Sequence, residues 1–519
     1  YFYPCVIPPK DWSSPFNGGY HSKKIDSIPM IKTRNREYLD EMKNHSMPME
    51  YGAINALQRT KWKVNEKILD IIQKCWETGE SWAKLPPRED YKILPSPVQG
   101  KKSEMTPEEL ELFIKWKKKA TTVHDLNAKM TSKRIQLVRT IAMAKKFKQY
   151  KAIYFVYQCD FRGRKYTVNS FLTPQGPDYA KALLEFSDKH PISNEEQRNY
   201  HAVHGANAFG YDKVSFNDRV TWVLENTSSI VESAKNPMNF RWWTQADEPW
   251  TFLAWCFEWA EFTKQGYGFM SCLPVCLDGS NNGLQHFSAM LRDPIGGKAT
   301  NLTPEPLPQD IYQMVADVVL KKVQEDTKTH TPYSKEWISF GIDRKITKRP
   351  VMVVPYGGTR FSCRAYVEDA INDRILADPS TNVFGEHVYE ASLYLSRYVW
   401  EAIGEVVIKA REGMSWLQEI ARQMSNKNLP ITWETPSKFV VQQVYSSMKT
   451  RRITTHIDNV LIKPSVVETT SKIDRRRTIN GLSPNFVHSM DATALTLTVN
   501  KCLQKGINNF AVVHDSYGV

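Results

Sequence analysis

The spacing of apolar residues along the chain predicts a mixture of helices and strands. Residues 53–77 carry apolar side chains at helical spacing, which predicts one helix. Thr106-Pro107-Glu108-Glu109 is a typical helix start, and it predicts two basic helices that extend to about residue 150. Further segments are predicted as a buried strand at 151–158, mainly helices at 307–430, two strands around a basic turn at 438–465, and a helix leading to a strand at 485–519. The pattern indicates an α+β fold that is mainly helical.

Two acidic residues interrupt this pattern at the ends of apolar, strand-like runs. In the segment LPVCLDGSNNGLQHFSA, Asp278 follows an apolar run and precedes a turn-like stretch. In VVHDSYG, Asp515 repeats the same plan. Two strands of one sheet could place these carboxylates side by side, where they would repel unless cations lay between them. Such a pair suits two Mg²⁺ ions about 3.5–4 Å apart in phosphoryl transfer, whereas each turn alone is equally typical of a capping aspartate.

A stripe of cations ending in a tyrosine follows in residues 341–358. Every fourth position belongs to it: Arg344, Lys348, Met352 and Tyr356. The stripe suits a triphosphate laid along a helix, with the sugar or base at the tyrosine. The alternative is an amphipathic helix with exposed cations. Pro350 and Pro355 predict a helix that is kinked or breaks just before Tyr356.

Two shorter segments also contain candidate chemistry. DFRGRKY places Arg162 and Arg164 around a glycine at a strand end, where forked donors could hold phosphate. SPNFVHSMD places His488 early in the helix that leads to Asp515, although a lone histidine is usually structural.

The composition is that of a basic protein of several subdomains. The 519 residues include 69 Lys plus Arg and 56 Asp plus Glu, a net charge of +13, which is compatible with a basic soluble protein or with a groove for a polyanion. The ten cations of the predicted basic helices suit either a solvated face or a nucleic-acid backbone. Eight cysteines lack zinc-site spacing, so Cys272 and Cys276 are interpreted as core thiols. With no long apolar run, no membrane partner is expected.

Five ordered motifs together resemble the single-subunit, phage-type DNA-dependent RNA polymerases, a family that includes mitochondrial and chloroplast enzymes. The motifs are DFRGR, LDGS-x-x-G-x-QHFSA, R-x3-TK-x-x-VM-x3-YG, PNFVHS-x-D and HDSYG. The wording QHFSAMLRD is closer to phage members. The resemblance implies a right-hand polymerase fold of palm, fingers and thumb with a mixed palm sheet. It implies a DNA-directed RNA polymerase that transfers ribonucleotides to an RNA 3′ end by two-metal catalysis, from phage-type promoters.

The resemblance also implies roles for individual residues. The metal ligands for two Mg²⁺ ions are Asp278, Asp515 and the carbonyl of Gly279, and Lys348 is the catalytic lysine that serves the pyrophosphate leaving group. Nucleotide-binding residues are Arg344, Arg349, Lys213, Tyr312, Tyr356 and His488, of which the last two favour ribonucleotides. Nucleic-acid-binding residues that hold the template–RNA hybrid are Arg162 and Arg164.

The implied domains follow the motifs. They are an N-terminal remnant at 1–103, the thumb at 104–150, the palm at 151–306 and 485–519, and the fingers at 307–484 with a promoter-reading hairpin at about 440–465. Expected partners are promoter and template DNA, RNA product and ribonucleoside triphosphates, for a monomer cut at both ends. The expected location is the cytoplasm of an infected bacterium, or alternatively a mitochondrion. The rival interpretations are a DNA polymerase on the same palm and a catalytically impaired nucleic-acid-binding fragment.

Overall fold

The computed structural model describes residues 2–22 and 28–519, which form many helices and several small sheets around two hydrophobic cores. The α-helices are α1 Arg36–Met42, α2 Pro48–Arg59, α3 Glu66–Thr78, α4 Pro107–Phe147, α5 Asp178–Ala182, α6 Glu195–Phe209, α7 Phe216–Glu225, α8 Thr227–Lys235, α9 Pro249–Gln265, α10 Asn282–Met290, α11 Pro294–Ala299, α12 Ile311–Lys328, α13 Ser334–Phe340, α14 Arg344–Val353, α15 Arg360–Ala377, α16 Val388–Val406, α17 Ile408–Asn426 and α18 Arg475–Gln504. No helix in this part of the chain is both long and apolar enough to span a bilayer.

The strands are short and pair mostly as antiparallel ribbons. They are β1 Lys10–Ser14, β2 Asn17–Gly19, β3 Ile31–Lys32, β4 Trp62–Val64, β5 Tyr157–Asp160, β6 Lys165–Thr167, β7 Leu184–Phe186, β8 His190–Ile192, β9 Phe269–Ser271, β10 Cys276–Asp278, β11 Ile431–Glu434, β12 Val440–Gln443, β13 Ser446–Arg452, β14 Thr455–Ile457, β15 Val460–Ile462, β16 Ser465–Ile473, β17 Ala511–Val513 and β18 Ser516–Gly518. The two three-stranded sheets have the orders β3-β5-β6 and β10-β18-β17. Only the first contains a parallel pair, β3 with β5. The sheet that contains Asp278 is therefore antiparallel and not the mixed sheet that was expected.

The two cores divide the chain by position. The first is built from residues between Trp12 and Leu273, joined by Phe439, Val441 and the chain's last helix and strands. The second is built from residues 284–431 with Leu482 and Val487. The segment predicted as an N-terminal remnant packs into the first core together with the predicted palm, since β4 pairs with β7 and β3 with β5.

Helix α18 connects the two cores. Leu482 and Val487 pack into the second core, whereas Leu495 and Val499 pack into the first. The helix continues through Pro484, so the predicted domain boundary at residue 484 falls inside it. Chain segment 274–283, which contains Asp278, crosses between the same two cores.

Two predicted helical segments need correction. Residues 53–77 are not one helix: α2 ends at Arg59, β4 follows, and Asn65 caps the start of α3. Helical spacing concealed a strand whose partner, β7, lies about 120 residues later. The basic region is not two helices but one, α4, which contains no glycine and has its only proline at the first position. The predicted start at Thr106 is confirmed, with a capping box to Glu109.

The basic hairpin also differs from its prediction. Strand β12 pairs with the earlier strand β11, while the long ribbon is β13 with β16, extended by β14 with β15. The ribbon turns at Asp458 and Asn459, which both have positive φ. Neither residue is basic, so the predicted basic turn is wrong. The cations Lys449, Arg451 and Arg452 instead lie along β13. The predicted strand at 151–158 is displaced as well, to β5, although residues 153–157 are buried.

Candidate active site

The structure brings the two predicted acids together on one antiparallel sheet. Asp278 is the last residue of β10 and lies opposite Ser516, the first residue of β18. Asp515 directly precedes Ser516, in the turn between β17 and β18. The N–H of Gly279 joins both acids: it donates to Asp278 Oδ1 at 3.0 Å and to the Asp515 carbonyl at 3.2 Å. Strand β18 lies between the two apolar runs, in the order β10-β18-β17, so both acids lie at the same end of the sheet.

Neither acid of the pair forms an ion pair with a residue in the described part of the chain. Burial raises the pKa of Asp278, and the charge of Asp515 raises it further. Burial also raises the pKa of Asp515. The cations whose charge reaches these carboxylates, Lys181 and Arg164, are engaged in ion pairs with other acids.

The donor set fits a hard divalent cation. It offers two carboxylates and the backbone carbonyl of Gly279, all oxygen ligands of the kind that Mg²⁺ prefers. Within residues 2–22 and 28–519, no cluster of three or more His, Cys, Asp or Glu side chains is arranged to hold a metal. Two carboxylates are nevertheless compatible with Mg²⁺, which usually keeps several waters and takes further ligands from substrate phosphates.

The predicted break before Tyr356 is confirmed. Helix α14 ends at Val353, and a 3-10 turn, Val354–Tyr356, follows, closed by Gly357 at a φ of 84°. The Tyr356 ring contacts the ring of His488, with the centroids 4.7 Å apart and the planes tilted by 34°. Burial raises the pKa of Tyr356 to about 12, and the site's carboxylates add to the effect. The tyrosine therefore stays protonated at neutral pH and keeps its O–H donor.

The Tyr356 turn packs closely against Gly283 of α10. A Cβ there would lie 2.8 Å from the Pro355 Cβ and 3.3 Å from the Tyr356 hydroxyl. Helix α10 begins two residues after the turn that follows Asp278, so the Tyr356 turn is held close to the acidic pair. The charge of Asp515 is among those that reach the Tyr356 hydroxyl.

The DFRGR arginines face inward, where each is paired with an acid. Arg164 Nε donates to both oxygens of Asp491 at 3.1 and 3.0 Å, and Asp491 is 1% exposed. Arg162 donates to Asp160 and, from Nη1, to His488 Nδ1 at 2.6 Å. Burial raises the pKa of Asp491 to about 6, although Arg164 opposes this shift.

The predicted nucleotide-binding cations have different surroundings. Lys348 is exposed on α14 and forms no ion pair with a described residue. Arg344 Nε donates to Asp310 at 2.5 Å and lies over the ring of Tyr312. Arg349 is exposed and pairs with Asp369 at 3.0 Å. Lys213, between α6 and α7, bonds its neighbour Asp212 at 2.5 Å, and no contact joins it to the other site residues described here.

Sequence reasoning missed the acids that hold the predicted cations. Asp160, Asp310 and Asp491 were given no role, although two of them lie inside the quoted motifs DFRGR and PNFVHS-x-D. Two signals were available in the sequence. Asp160 stands next to the arginines in DFRGR, and Asp491 follows His488 by about one helical turn. Of the three pairs, only that of Asp491 with Arg164 depends on α18 meeting the β5–β6 turn.

Two acids at one end of a sheet, a helix that carries cations and a half-buried contact between a tyrosine and a histidine define a candidate site for phosphoryl transfer. Comparison with known proteins gives the family. The sequence model of the DNA-dependent RNA polymerase family matches residues 192–519, and the chain belongs to this family. DFRGR lies before the matched region.

Named relatives align over nearly the whole chain. It is 34% identical to the DNA-directed RNA polymerase of Enterobacteria phage T3 and to the T7 RNA polymerase of Escherichia phage T7, over 100% of this chain and 62% of each relative. It is 30% identical to the mitochondrial DNA-directed RNA polymerase 1B of Nicotiana tabacum, over 99% of this chain and 51% of that protein. The chain thus spans less than two thirds of the length of these relatives.

Proposed function

We propose that this chain is the catalytic part of a DNA-directed RNA polymerase, which transfers ribonucleotides to the 3′ end of an RNA on a DNA template. The observation that carries the proposal is the placement of Asp278 and Asp515 at one end of a sheet, with no ion pair to either carboxylate among residues 2–22 and 28–519. Family membership supports the same reaction.

Asp278, Asp515 and the Gly279 carbonyl would hold two Mg²⁺ ions. When bound, such ions activate the attacking hydroxyl and neutralise charge on the triphosphate. The raised pKa values of the two aspartates fit this role, because the carboxylates lack a cation of their own.

The chain's own cations serve the triphosphate. Lys348 is exposed without a partner, so its ammonium is free to bind the phosphates and to stabilise or protonate the leaving pyrophosphate. Arg344 and Arg349 lie on the same helix, and their carboxylate partners can be exchanged for phosphate. Lys213 is proposed to contact the same phosphates and Tyr312 to line the nucleotide site, next to Arg344.

Tyr356 and His488 are proposed to read the sugar. The Tyr356 and His488 rings contact each other and are half-buried, so a 2′-hydroxyl bound there would find polar partners that a 2′-hydrogen could not use. This arrangement favours ribonucleotides over deoxyribonucleotides.

The wider organisation is proposed by resemblance to the family's right hand. The palm comprises 151–306 and 485–519, the fingers 307–484, the thumb 104–150 and the N-terminal remnant 1–103. Ribbon β13–β16 is proposed to read promoter DNA in the major groove, which admits a two-stranded ribbon. Arg162 and Arg164 are proposed to support the template–RNA hybrid through the loop they brace. The protein is proposed to act as a monomer in an infected bacterium, with a mitochondrion as the alternative.

The test compares Asp278→Asn and Asp515→Asn with the wild-type chain on a primed DNA template with Mg²⁺. Each variant should lower extension by about 10²-fold or more while DNA binding stays nearly unchanged, because only charge at the metal site is removed. Asp188→Asn is the matched control, since it alters an exposed aspartate paired with Lys61. Near-normal extension by either site variant would refute the assignment.

Two further measurements separate the rival functions. Preference for deoxyribonucleotides by the wild-type chain would indicate a DNA polymerase. Salt-dependent DNA binding without any Mg²⁺-dependent synthesis would indicate a nucleic-acid-binding fragment instead.

A further inference from the structure

Arg162 has an inward contact that phosphate binding does not explain. Its side chain is 21% exposed, and its N–H groups point to two protein partners. Nε and Nη2 donate to Asp160 Oδ2 at 3.0 and 2.6 Å, and Nη1 donates to His488 Nδ1 at 2.6 Å. Asp160 also accepts from the backbone N–H groups of Arg162 and Arg164. The aspartate therefore fixes the loop and the guanidinium together.

This contact determines the proton position on His488. A guanidinium has only donors, so the Nδ1 that faces Arg162 must act as an acceptor without a proton. Burial, together with the charges of Arg164 and Arg162, lowers the pKa of His488 to about 2, so the ring is neutral near neutral pH. A neutral imidazole without a proton on Nδ1 has it on Nε2.

We propose that Arg162, held by Asp160, is a positioning residue that fixes His488 as the Nε2–H tautomer and so makes the imidazole a hydrogen-bond donor to the nucleotide's 2′-oxygen. The proposal rests on the function proposed above, in which His488 lies on the sugar side of the nucleotide. It assigns to Arg162 a role in sugar selection that acts through another residue.

The chemistry distinguishes substrates by their 2′ group. A 2′-hydroxyl oxygen accepts from Nε2–H, whereas a 2′-hydrogen offers no acceptor. The Tyr356 ring also contacts the imidazole, with the centroids 4.7 Å apart, and its hydroxyl keeps its proton. A ribose 2′-hydroxyl would thus meet two groups that can donate, and loss of the histidine's fixed tautomer removes one of them.

The first experiment observes the tautomer directly. The full chain is labelled with ¹⁵N at its histidine rings, and the His488 signals are assigned by their loss in His488→Gln. The wild-type chain should show a neutral ring with the proton on Nε2. Arg162→Met should shift the ring nitrogen signals toward a mixture of tautomers, and the milder Asp160→Asn should do so partially. A proton on Nδ1 in the wild type, or unchanged signals in Arg162→Met, would overturn the proposal.

The second experiment measures sugar discrimination. Arg162→Met should lower the ratio of kcat/KM for ribonucleotides over 2′-deoxynucleotides by about tenfold, the effect of losing one good hydrogen bond. The control is Arg59→Met, which removes an arginine from an exposed pair with Asp11, including an Nε–Oδ1 contact of 3.2 Å.

The outcomes separate this inference from the proposed function. If Arg162→Met lowers use of both sugars equally, the residue is merely structural and the proposal is wrong while the polymerase function stands. If the wild-type chain makes no product on any template, the proposed function fails, and the sugar-selecting role fails with it even where the tautomer is as expected.

Discussion

The buried ion pair between Glu50 and Lys165 offers the sharpest test of what holds the site in place. Lys165 Nζ donates to Glu50 Oε2 at 2.7 Å, to Thr496 Oγ1 at 2.7 Å and to the Gly163 carbonyl at 3.4 Å, which accounts for all three of its N–H groups. The Lys165 and Glu50 side chains are only 1% and 2% exposed. The pair joins α2, the strand that follows DFRGR, and α18.

Removing one partner should cost much more than removing both. Lys165→Met leaves the Glu50 carboxylate buried with only Thr496 as a nearby donor, and Glu50→Gln leaves a buried ammonium. A buried charge left unpaired costs about 3–5 kcal/mol. Burial lowers the pKa of Lys165, but the charge and hydrogen bond of Glu50, together with the nearby Cys159 and Asp160, raise it more, so the net shift is upward and the lysine is charged in the fold. The double variant Glu50→Leu/Lys165→Met should be closer to the wild type than either single variant, because it buries no charge.

The assay is urea unfolding followed by tryptophan fluorescence, with apparent midpoints compared because a chain of 519 residues need not unfold in two states. The control Lys61→Met breaks an exposed pair with Asp188, and it should shift the unfolding midpoint little, because exposed ion pairs contribute little to stability. Single variants that cost as little as this control would refute the reasoning. So would a double variant as unstable as the two single variants added together.

Three further predictions concern the site and its surroundings. Lys348→Met should slow single-turnover extension by about 10²-fold, because a cation at the phosphates is lost. Arg349→Met should slow extension less. Equal losses of rate in the two variants would contradict the assignment of Lys348. Gly283→Ala should lower ribonucleotide preference and destabilise the fold by about 1–3 kcal/mol, since the added Cβ would lie 2.8 Å from a proline carbon of the 3-10 turn. Gly297→Ala is the control: its added Cβ would have its nearest atom at 3.7 Å, so it should be tolerated in both assays. Burial lowers the pKa of His204 to about 4 from 6.5, so its contribution to stability is present above about pH 6.5 and is lost as the pH falls toward 4. His204→Gln should therefore lose less thermal stability than the wild type on acidification. The measurement is the shift of the thermal midpoint between about pH 7 and pH 5.

Local signals explain the parts of the fold that could be predicted from sequence. The start of α4 follows from Thr106 and Glu109, whose capping box needs no distant partner. The helix break before Tyr356 follows from Pro355 and the glycine after it. The helical region predicted at 307–430 is confirmed as α12 to α17, because each of these helices contributes a regular apolar stripe to the second core.

Distant pairing explains the parts that were predicted wrongly. β4 is a strand because β7 pairs with it, and its three residues resemble helix in isolation. Ribbon β13–β16 is exposed on both faces over most of its length, so no alternation of apolar and polar residues marks its register or its ends. The same limit applies to the ion pairs of Arg162 and Arg164, whose contacts on α18 lie more than 300 residues away.

The location of these contacts explains why the site depends on the whole chain and not on its motifs alone. The middle of α18 contains His488 and Asp491, and the two ends of the helix are packed into different cores. Because the helix is continuous, its pairs with Arg162 and Arg164 set the distance between the DFRGR loop in the first core and the Tyr356 turn in the second. Asp278 lies on the chain segment that crosses between those cores. A change that loosens either end of α18 should therefore displace the proposed sugar-reading and metal-binding groups together, even though it touches neither.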